Sequence, residues 1–197
     1  MPTFTVHTHE TAPEDGREVL KKVESNYGFV PNLLGVLAEA PVAAEAYLSL
    51  IDLCRGSSLT PTERHVAWFA VNYEHECHYC MAAHTAVANM EEIPEDLIEA
   101  TRNGTPYSND RLQVLREFTR SVVLERGNVS PEQVEQFLSA GFTKRNVLEV
   151  ILAITSKVLS NYTNHIAETP LDDQFAACAW KRPAEPAIEA SSAPVEL

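Results

Sequence analysis

The hydrophobic pattern of this chain is helical over most of its length. Apolar residues recur at intervals of three and four positions, which places them on one face of an α-helix, and the alternating runs typical of strands are nearly absent. Glycine and proline divide the pattern into segments of helical length. These segments predict helices over residues 13–27, 31–40, 41–56, 60–73, 77–90, 94–103, 109–127, 130–141 and 143–165. We therefore predict an all-α fold, a bundle of about eight helices in a single domain.

The two ends of the chain differ from this helical part. Residues 1–12 are rich in Thr and His and alternate only weakly, which predicts an extended N-terminal arm. Residues 181–197 are rich in Pro, Ala, Glu and Ser and have little to bury, which predicts a mobile C-terminal tail. The predicted organisation is an arm (1–12), an all-α domain (13–180) and a tail (181–197).

The helix predicted to start near residue 60 carries the clearest local signals. Thr60 is an N-cap residue, Pro61 suits the first helical position, and Glu63 completes a capping box at the third. Over residues 66–71 the helix that follows has apolar side chains on most of its faces, so we expect it to lie in the middle of the fold. Ser130 and Gln133 form a second capping box of the same kind.

Composition and net charge disfavour two classes of binding partner. The chain has 197 residues, 45% of them apolar, and a formal net charge of -13, which disfavours nucleic acid and anionic membrane surfaces. The longest apolar stretch, residues 147–159, is too short to span a bilayer and carries Glu149 and Lys157. The first residues lack the charged and then apolar plan of a signal peptide. We expect a soluble cytoplasmic protein that binds neither nucleic acid nor membrane.

The candidate chemistry lies in a Cys-x-x-Cys-x-x-x-His motif formed by Cys77, Cys80 and His84. On a helix, successive residues turn by about 100°, so these three side chains fall within a sector of roughly 60°. Cys80 and His84 are i, i+4 neighbours, close enough for an imidazole to share a proton with a thiol. Two paired thiols and a base on one helix face outline a redox or nucleophilic site.

Redox chemistry is the reading that this spacing favours. The thiolate is the reactive form of cysteine, and a base or a helix N-terminus promotes its formation. Cys77 lies where a helix is expected to begin, and Cys80 has His84 one turn further on. A second thiol two residues away can condense with a sulfenic acid to form a disulfide and water.

Two other interpretations of the motif stay open. Zinc could take nitrogen from His75 and His84 and sulfur from the two thiols, although structural zinc sites usually draw ligands from two separate segments. The thiols could also be packed side chains beside a hydrogen-bonded histidine. Cys54 and Cys178 stand alone among apolar residues and are interpreted as buried small hydrophobic side chains.

Four segments together resemble a known family. They are residues 27–33 (YGFVPNL), 59–64 (LTPTER), 77–84 (CHYCMAAH) and 159–167 (LSNYTNHIA). With them the sequence resembles the AhpD-like alkylhydroperoxidases of the carboxymuconolactone decarboxylase superfamily, in its peroxidase-related branch. The likeness covers most of residues 15–180.

The resemblance implies an all-α fold, assembly as a trimer, hexamer or other homo-oligomer, and peroxide reduction without haem, metal or other cofactor. It assigns Cys80 as the thiol that attacks peroxide, Cys77 as the resolving thiol and His84 as the base or proton relay. It also implies a dithiol reductant, such as a dihydrolipoyl group on a partner protein.

One position departs from the family pattern. The relay of the family commonly has a Glu twelve residues before the first cysteine, and here that residue is His65. Histidine also passes protons, although its pKa differs from that of Glu by about two units. Glu63 and Glu76 are further candidates for the relay. By itself, a histidine on an apolar helix such as His65 is more often a hydrogen-bonded core residue.

The predicted function is a thiol-dependent peroxidase that reduces hydrogen peroxide or small organic hydroperoxides. The cycle would pass through a Cys80 sulfenic acid and a Cys77–Cys80 disulfide. The alternative is a redox-sensing or metal-binding helical module without turnover. A third possibility is a non-redox enzyme on the same scaffold, in which the cysteines are incidental.

Overall fold

The computed structural model describes residues 4–184, and the regular structure in that range is helical throughout, with no strand. This confirms the predicted all-α class. The helices are α1 (Glu14–Tyr27), α2 (Asn32–Leu37), α3 (Pro41–Arg55), α4 (Pro61–Glu74), α5 (His78–Met90), α6 (Glu95–Asn103), α7 (Asp110–Leu124), α8 (Pro131–Ser139) and α9 (Lys144–Ala167), followed by a 3₁₀ helix (Asp173–Cys178).

Capping explains why several helices begin where the sequence predicted. Thr60 and Glu63 form the expected capping box at the start of α4, and Ser130 and Gln133 form the one at the start of α8. A third box at α9 pairs Thr143 with an asparagine instead of Glu or Gln, so the usual pattern did not reveal it. These caps satisfy backbone N–H groups that the first helical turn leaves without partners.

Helix α4 lies at the centre of the bundle, as the apolar residues on most of its faces predicted. It packs against α5, α7 and α9, and residues 63–72 are all buried. Helix α9 in turn packs against α3, α4 and α5. The thiol motif at the start of α5 is therefore enclosed between α4 and the long helix α9.

The larger of the cores fills the side of the bundle away from the thiols. Phe137 of α8 is fully buried, with ring centroids 4.2 Å from Phe118 and 4.3 Å from Phe142. A second core, formed by α1, α2, α3 and α5, surrounds Cys77 and Cys80. The thiols thus belong to an apolar interior and not to a surface loop.

The chain after α9 closes the thiol side of the molecule, and residues 168–184 are called here the C-terminal strap. Its 3₁₀ helix packs against α5. The Asp172 carboxylate accepts hydrogen bonds from the Tyr79 hydroxyl (2.6 Å) and from the Asn32 backbone N–H (2.9 Å). The Trp180 carbonyl lies 2.9 Å from Nδ1 of His78. The strap therefore ties α5 to α2 beside the motif.

The two predicted ends of the chain are described only in part. Residues 4–12 form neither helix nor strand, and the His7 N–H donates to the Gly35 carbonyl over 3.1 Å. A Cβ at Gly35 would lie 2.9 Å from the His7 carbonyl oxygen, so this close approach of the arm to α2 requires glycine. Most of the predicted C-terminal tail, residues 185–197, lies outside the described residues, so the division into arm, domain and tail stays a prediction.

Within residues 4–184, no helix combines the length and the apolar character needed to cross a membrane.

Replacing Phe137 by Ala is expected to lower the free energy of unfolding by about 3–5 kcal/mol, because the stacked rings around it would border a cavity. Urea denaturation followed by circular dichroism measures this change. Leu124→Ala on α7 is the control: that side chain is 57% exposed, and its truncation should cost no more than about 0.5 kcal/mol. A loss below about 1 kcal/mol for Phe137→Ala would contradict the central place of the stack.

Candidate active site

A tight turn brings the motif to the start of α5. The chain leaves α4 at Glu74, passes through Glu76 in a left-handed conformation (φ 52°), and the Cys77 N–H donates to the Asn72 carbonyl over 3.0 Å. Cys77 is the N-cap residue of α5, which places Cys80 in the first turn of that helix. The predicted helix start is confirmed. The N-terminal end of a helix favours negative charge, so this position favours a thiolate.

Both thiols are free and buried, with exposed fractions of 1% for Cys77 and 2% for Cys80. Two side chains of α9 reach the Cys80 sulfur from the opposite side. Asn164 Nδ2 donates to Cys80 Sγ over 3.2 Å, and Ser160 Oγ lies 3.7 Å from the same sulfur. The residues that contact Cys80 thus come from a helix about eighty positions further along the chain.

Lys157 is the unexpected member of the site. It lies on α9 one turn before Ser160, it is fully buried, and its Nζ is 2.5 Å from His84 Nε2. Its ammonium group also lies 5.8 Å from the Tyr47 ring centroid and 6.0 Å from that of Trp68, within range of cation–π attraction.

Lys157 has no carboxylate within ion-pair distance among the residues that the structure describes. A buried cation without a counter-charge is strongly destabilising. Burial lowers the pKa of Lys157, and the charges of Cys80, Cys77 and Cys54 act in the opposite direction. A charged Lys157 and a Cys80 thiolate therefore stabilise each other.

The pKa values of the two thiols move in opposite directions. Burial raises the pKa of Cys80, but the hydrogen bond with Cys77, the charge of Lys157 and the hydrogen bonds with Ser160 and Asn164 together outweigh burial and lower it. The hydrogen bond with Cys80, together with burial, raises the pKa of Cys77. Cys80 is therefore the thiol that ionises first, with Cys77 protonated beside it.

His84 occupies a different place from the one that its spacing suggested. Its Nε2 lies against Lys157, and neither of its ring nitrogens is hydrogen-bonded to Cys80 in the described part of the chain. Burial and the charge of Lys157 lower the pKa of His84 well below its usual range, so the imidazole is neutral at neutral pH. His84 thus contacts Lys157, whereas the side chains that contact the Cys80 sulfur are Asn164 and Ser160.

His65 lies behind His84, with their ring centroids 6.3 Å apart. It is fully buried, and its Nε2 is 3.1 Å from the carboxylate of Glu91, which also accepts a hydrogen bond from Arg64 over 3.2 Å. Burial lowers the pKa of His65 although Glu91 raises it. Glu91 was not among the residues expected in the site, yet it follows His84 by seven positions, two turns along the same helix face.

The two carboxylates suggested for the relay have other partners. Glu63 caps α4 and forms an ion pair with Arg111. Glu76 is exposed and pairs with Arg182 over 3.0 Å. Neither contact involves His65, so of the suggested relay residues only His65 lies beside His84.

The four possible zinc ligands do not form a metal-binding group. His75 Nδ1 accepts a hydrogen bond from Asn161 Nδ2 over 3.1 Å. Within residues 4–184, no group of three or more His, Cys, Asp or Glu side chains has a geometry that could hold a metal ion.

A cavity of about 180 Å³ opens beside the site, between α3, α5 and the strap. Its lining is largely apolar and aromatic, and His84, Trp68, Tyr47 and Tyr79 belong to it. Cys80 itself is not among the lining residues. The cavity extends from the exposed Met90 inward to the buried His84 and Trp68.

Searches with the sequence find no relative: no protein-family model matches it, and none of the curated proteins does. The solved structures give a different result. An uncharacterized peroxidase-related protein with an alkylhydroperoxidase AhpD core, from Ralstonia eutropha JMP134, superposes with a TM-score of 0.76 at 24% identity, over 87% of this chain and 93% of its own.

Two further neighbours have the same fold. An uncharacterized peroxidase-related protein from Silicibacter sp. TM1040 has a TM-score of 0.74 at 20% identity, over 88% of this chain and 94% of its own. The debrominase Bmp8, in complex with 2,3,4-tribromopyrrole, has a TM-score of 0.71 at 17% identity, over 89% of this chain and 94% of its own. These matches confirm the predicted AhpD-like fold.

Replacing Lys157 by Met is expected to raise the pKa of Cys80 by about one pH unit or more, because a nearby positive charge favours the thiolate. Alkylation by iodoacetamide as a function of pH, with the modified cysteine identified by mass spectrometry, measures the change. The reaction of Cys80 should then be lost at a higher pH than in the wild type as the solution is acidified. Lys144→Met, at the exposed start of α9, is the matched control. An unchanged pH profile in Lys157→Met would contradict the assigned role of the lysine.

Proposed function

We propose that this protein is a thiol-dependent peroxidase of the AhpD-like family, which reduces hydroperoxides with electrons from a dithiol. The observation that carries the proposal is the buried Cys80 thiol in the first turn of α5, whose sulfur accepts a hydrogen bond from Asn164. In spite of burial, the hydrogen bond with Cys77 and the charge of Lys157 lower the pKa of that thiol. A nucleophilic thiolate with a protonated thiol beside it is what peroxide reduction requires. The fold shared with peroxidase-related proteins supports the same assignment.

In the first step the Cys80 thiolate attacks the terminal oxygen of the hydroperoxide. A sulfur–oxygen bond forms, the oxygen–oxygen bond breaks, and the sulfur becomes a sulfenic acid. The alkoxide that leaves needs a proton. Lys157 supplies it in this proposal, since burial lowers the pKa of its ammonium group.

This proton transfer also removes a charge imbalance. Once Cys80 has become a neutral sulfenic acid, an ammonium group at Lys157 would be buried without a counter-charge. Giving the proton to the alkoxide leaves a neutral amine beside His84 Nε2. The site therefore loses its negative and its positive charge in the same step.

In the second step the Cys77 sulfur attacks the sulfur of the Cys80 sulfenic acid. A disulfide forms and water leaves, carrying the Cys77 proton. A dithiol reductant, such as a dihydrolipoyl group, then reduces the disulfide by thiol–disulfide exchange. Of its two protons one goes to Cys77 and the other to Lys157, so that Cys80 returns as a thiolate. The overall reaction converts hydroperoxide and two reducing equivalents into alcohol and water.

A homo-oligomer is part of the proposal, and the exposed face of α9 supports it. Leu148, Ile151, Tyr162 and Ile166 are large, exposed and apolar, and on a helix their positions fall within a sector of about 60°. An apolar stripe of this kind is typical of a subunit interface. A trimer or hexamer and a cytoplasmic location stay predictions.

Changing Ile166 to Glu is expected to dissociate such an oligomer, because a charge would be buried in the interface. Light scattering coupled to size-exclusion chromatography measures the mass. Leu124→Glu, on the exposed side of α7, is the control that should keep the wild-type mass. A wild-type protein that elutes as a monomer would contradict this part of the proposal.

Reductive dehalogenation is a second candidate reaction on the same thiols. The observation that favours it is the aromatic-lined cavity beside His84, together with a structural neighbour that is a debrominase. The pair of thiols would supply two electrons, a carbon–halogen bond would be replaced by carbon–hydrogen, and halide would leave. Halide release from a bromopyrrole, measured beside peroxide consumption, separates the two reactions.

The function is tested by following peroxide consumption with excess dihydrolipoamide. The wild type should turn over many times, and Cys80→Ser should reduce the rate to background because the nucleophile is lost. Cys77→Ser should consume about one equivalent and stop, since its sulfenic acid cannot be resolved. Cys178→Ser, a half-buried thiol of the strap, is the control that should remain active.

Three outcomes of this assay would contradict the proposal. A wild type that consumes one equivalent and stops is a redox sensor and not an enzyme. If Cys80→Ser keeps the wild-type rate, Cys80 is not the nucleophile. Stoichiometric zinc in the purified protein, lost together with stability on chelation, would establish the metal-binding alternative.

A further inference from the structure

We propose that the cavity beside His84 binds one aromatic ring, so that the substrates of this protein are arylalkyl hydroperoxides. The proposal rests on the peroxidase function argued above and adds the substrate class. It is drawn from the size of the cavity, its lining and the position of the thiol behind its wall.

The volume of the cavity fits a single ring. It measures about 180 Å³, whereas an engineered cavity of about 150 Å³ lined by Leu, Ile and Phe binds benzene. A benzene ring with one short branched substituent therefore fills the cavity. A second ring would have to lie outside this volume, towards the opening, and a small peroxide such as hydrogen peroxide leaves most of it empty.

The lining has the chemistry of an aromatic site. Phe175 of the strap lies edge-on to Phe29 and to Tyr79, with ring centroids 5.8 Å and 6.2 Å away, so that ring edges and faces are turned towards one another. The Tyr79 hydroxyl is satisfied within the protein, since Asp172 accepts from it and the Leu33 N–H donates to it. That hydroxyl therefore needs no water from the cavity, and its ring contributes apolar surface.

The exposure of the lining residues shows which end of the cavity opens to solvent and which end is buried. Tyr27 and Met90 are 39% and 80% exposed and mark the opening, together with Arg55. Trp68 and His84 are buried and mark the inner end. A ring that enters from the opening therefore carries its substituent towards the Lys157 side of the site, where His84 makes its contact.

The recessed position of Cys80 selects the reactive group. Cys80 is 2% exposed and is not among the residues that line the cavity. A ring held in the cavity therefore does not touch the thiol, and in this proposal a two-atom peroxide group on a short alkyl link spans the remaining distance. The ring then stays in the cavity while the terminal oxygen meets the thiolate, which is the geometry of an arylalkyl hydroperoxide.

Binding is tested without chemistry by using alcohols, the products of the proposed reaction. Calorimetry with the wild-type protein in its reduced form should give 2-phenyl-2-propanol a dissociation constant at least about tenfold lower than that of 2-methyl-2-propanol, because the ring adds buried apolar surface. The corresponding biphenyl alcohol should bind more weakly than the phenyl alcohol, because its second ring does not fit.

A variant that fills the cavity tests the location. Val87→Phe adds a ring inside the lining, and it should weaken binding of 2-phenyl-2-propanol by about tenfold or more. Val42→Phe is the matched control, because Val42 is 78% exposed on α3 and lies outside the cavity. The ranking of alcohols by the wild type stands as a test even if the filled variant does not fold.

Turnover is then compared between cumene hydroperoxide and tert-butyl hydroperoxide at equal thiol reductant. The proposal expects kcat/KM for cumene hydroperoxide to be at least about tenfold higher, a preference that Val42→Phe retains and Val87→Phe loses. Turnover of all peroxides at similar kcat/KM, with no binding of the phenyl alcohol, would overturn the substrate class and leave the peroxidase intact. Binding of the phenyl alcohol without turnover of any peroxide would instead overturn the peroxidase, and with it the hydroperoxide assignment, while the aryl site would stand.

Discussion

The site depends on one electrostatic constraint: a lysine ammonium buried in an apolar core needs a negative partner. Lys157 is fully buried on α9, and the described residues offer it no carboxylate. The partner is supplied by α5, whose N-terminal turn carries Cys80 against the same face of α9. The pairing links the fold to the chemistry, because α4, α5 and α9 have to pack as they do for the charge of the lysine to act on the thiol. It also makes the resting charge of the site neutral, so that losing the thiolate during catalysis requires losing the ammonium proton as well.

This constraint gives the remaining residues separate tasks. Asn164 and Ser160 contact the sulfur and stabilise its ionised form, whereas the raised pKa of Cys77 favours its protonated form, as the proposed resolving step requires. His84 is a neutral neighbour of the lysine, and its role as base or proton relay stays a prediction. The strap and α3 complete the cavity beside His84. In the proposed function this arrangement separates binding, at the cavity, from reaction, at the buried thiol.

The sequence predicted the parts of this site that are local. The capping box at Thr60, the central helix α4 and the helix start at Cys77 follow from the identity and spacing of neighbouring residues, and all three are present. The partners of Cys80 are not local, because they come from α9 about eighty residues away, and periodicity within one segment cannot align two helices. A signal nevertheless existed. Lys157 stands three and seven positions before Ser160 and Asn164 in a largely apolar stretch, so that the three residues share one helix face. The sequence correctly places His84 one turn from Cys80. Spacing alone could not reveal that Lys157, on another helix, contacts the Nε2 atom of His84.

The most direct test of the central claim is the charge of Lys157 itself, followed by NMR of the lysine side-chain carbons as the pH is varied. In the reduced wild-type protein Lys157 should be charged at neutral pH. In Cys80→Ser its pKa should fall, because the thiolate that raises the pKa of the ammonium group is gone. The same fall should appear in the wild type when the Cys77–Cys80 disulfide is formed. A Lys157 that is neutral in the reduced wild type, or that titrates identically with and without the Cys80 thiol, would contradict the account.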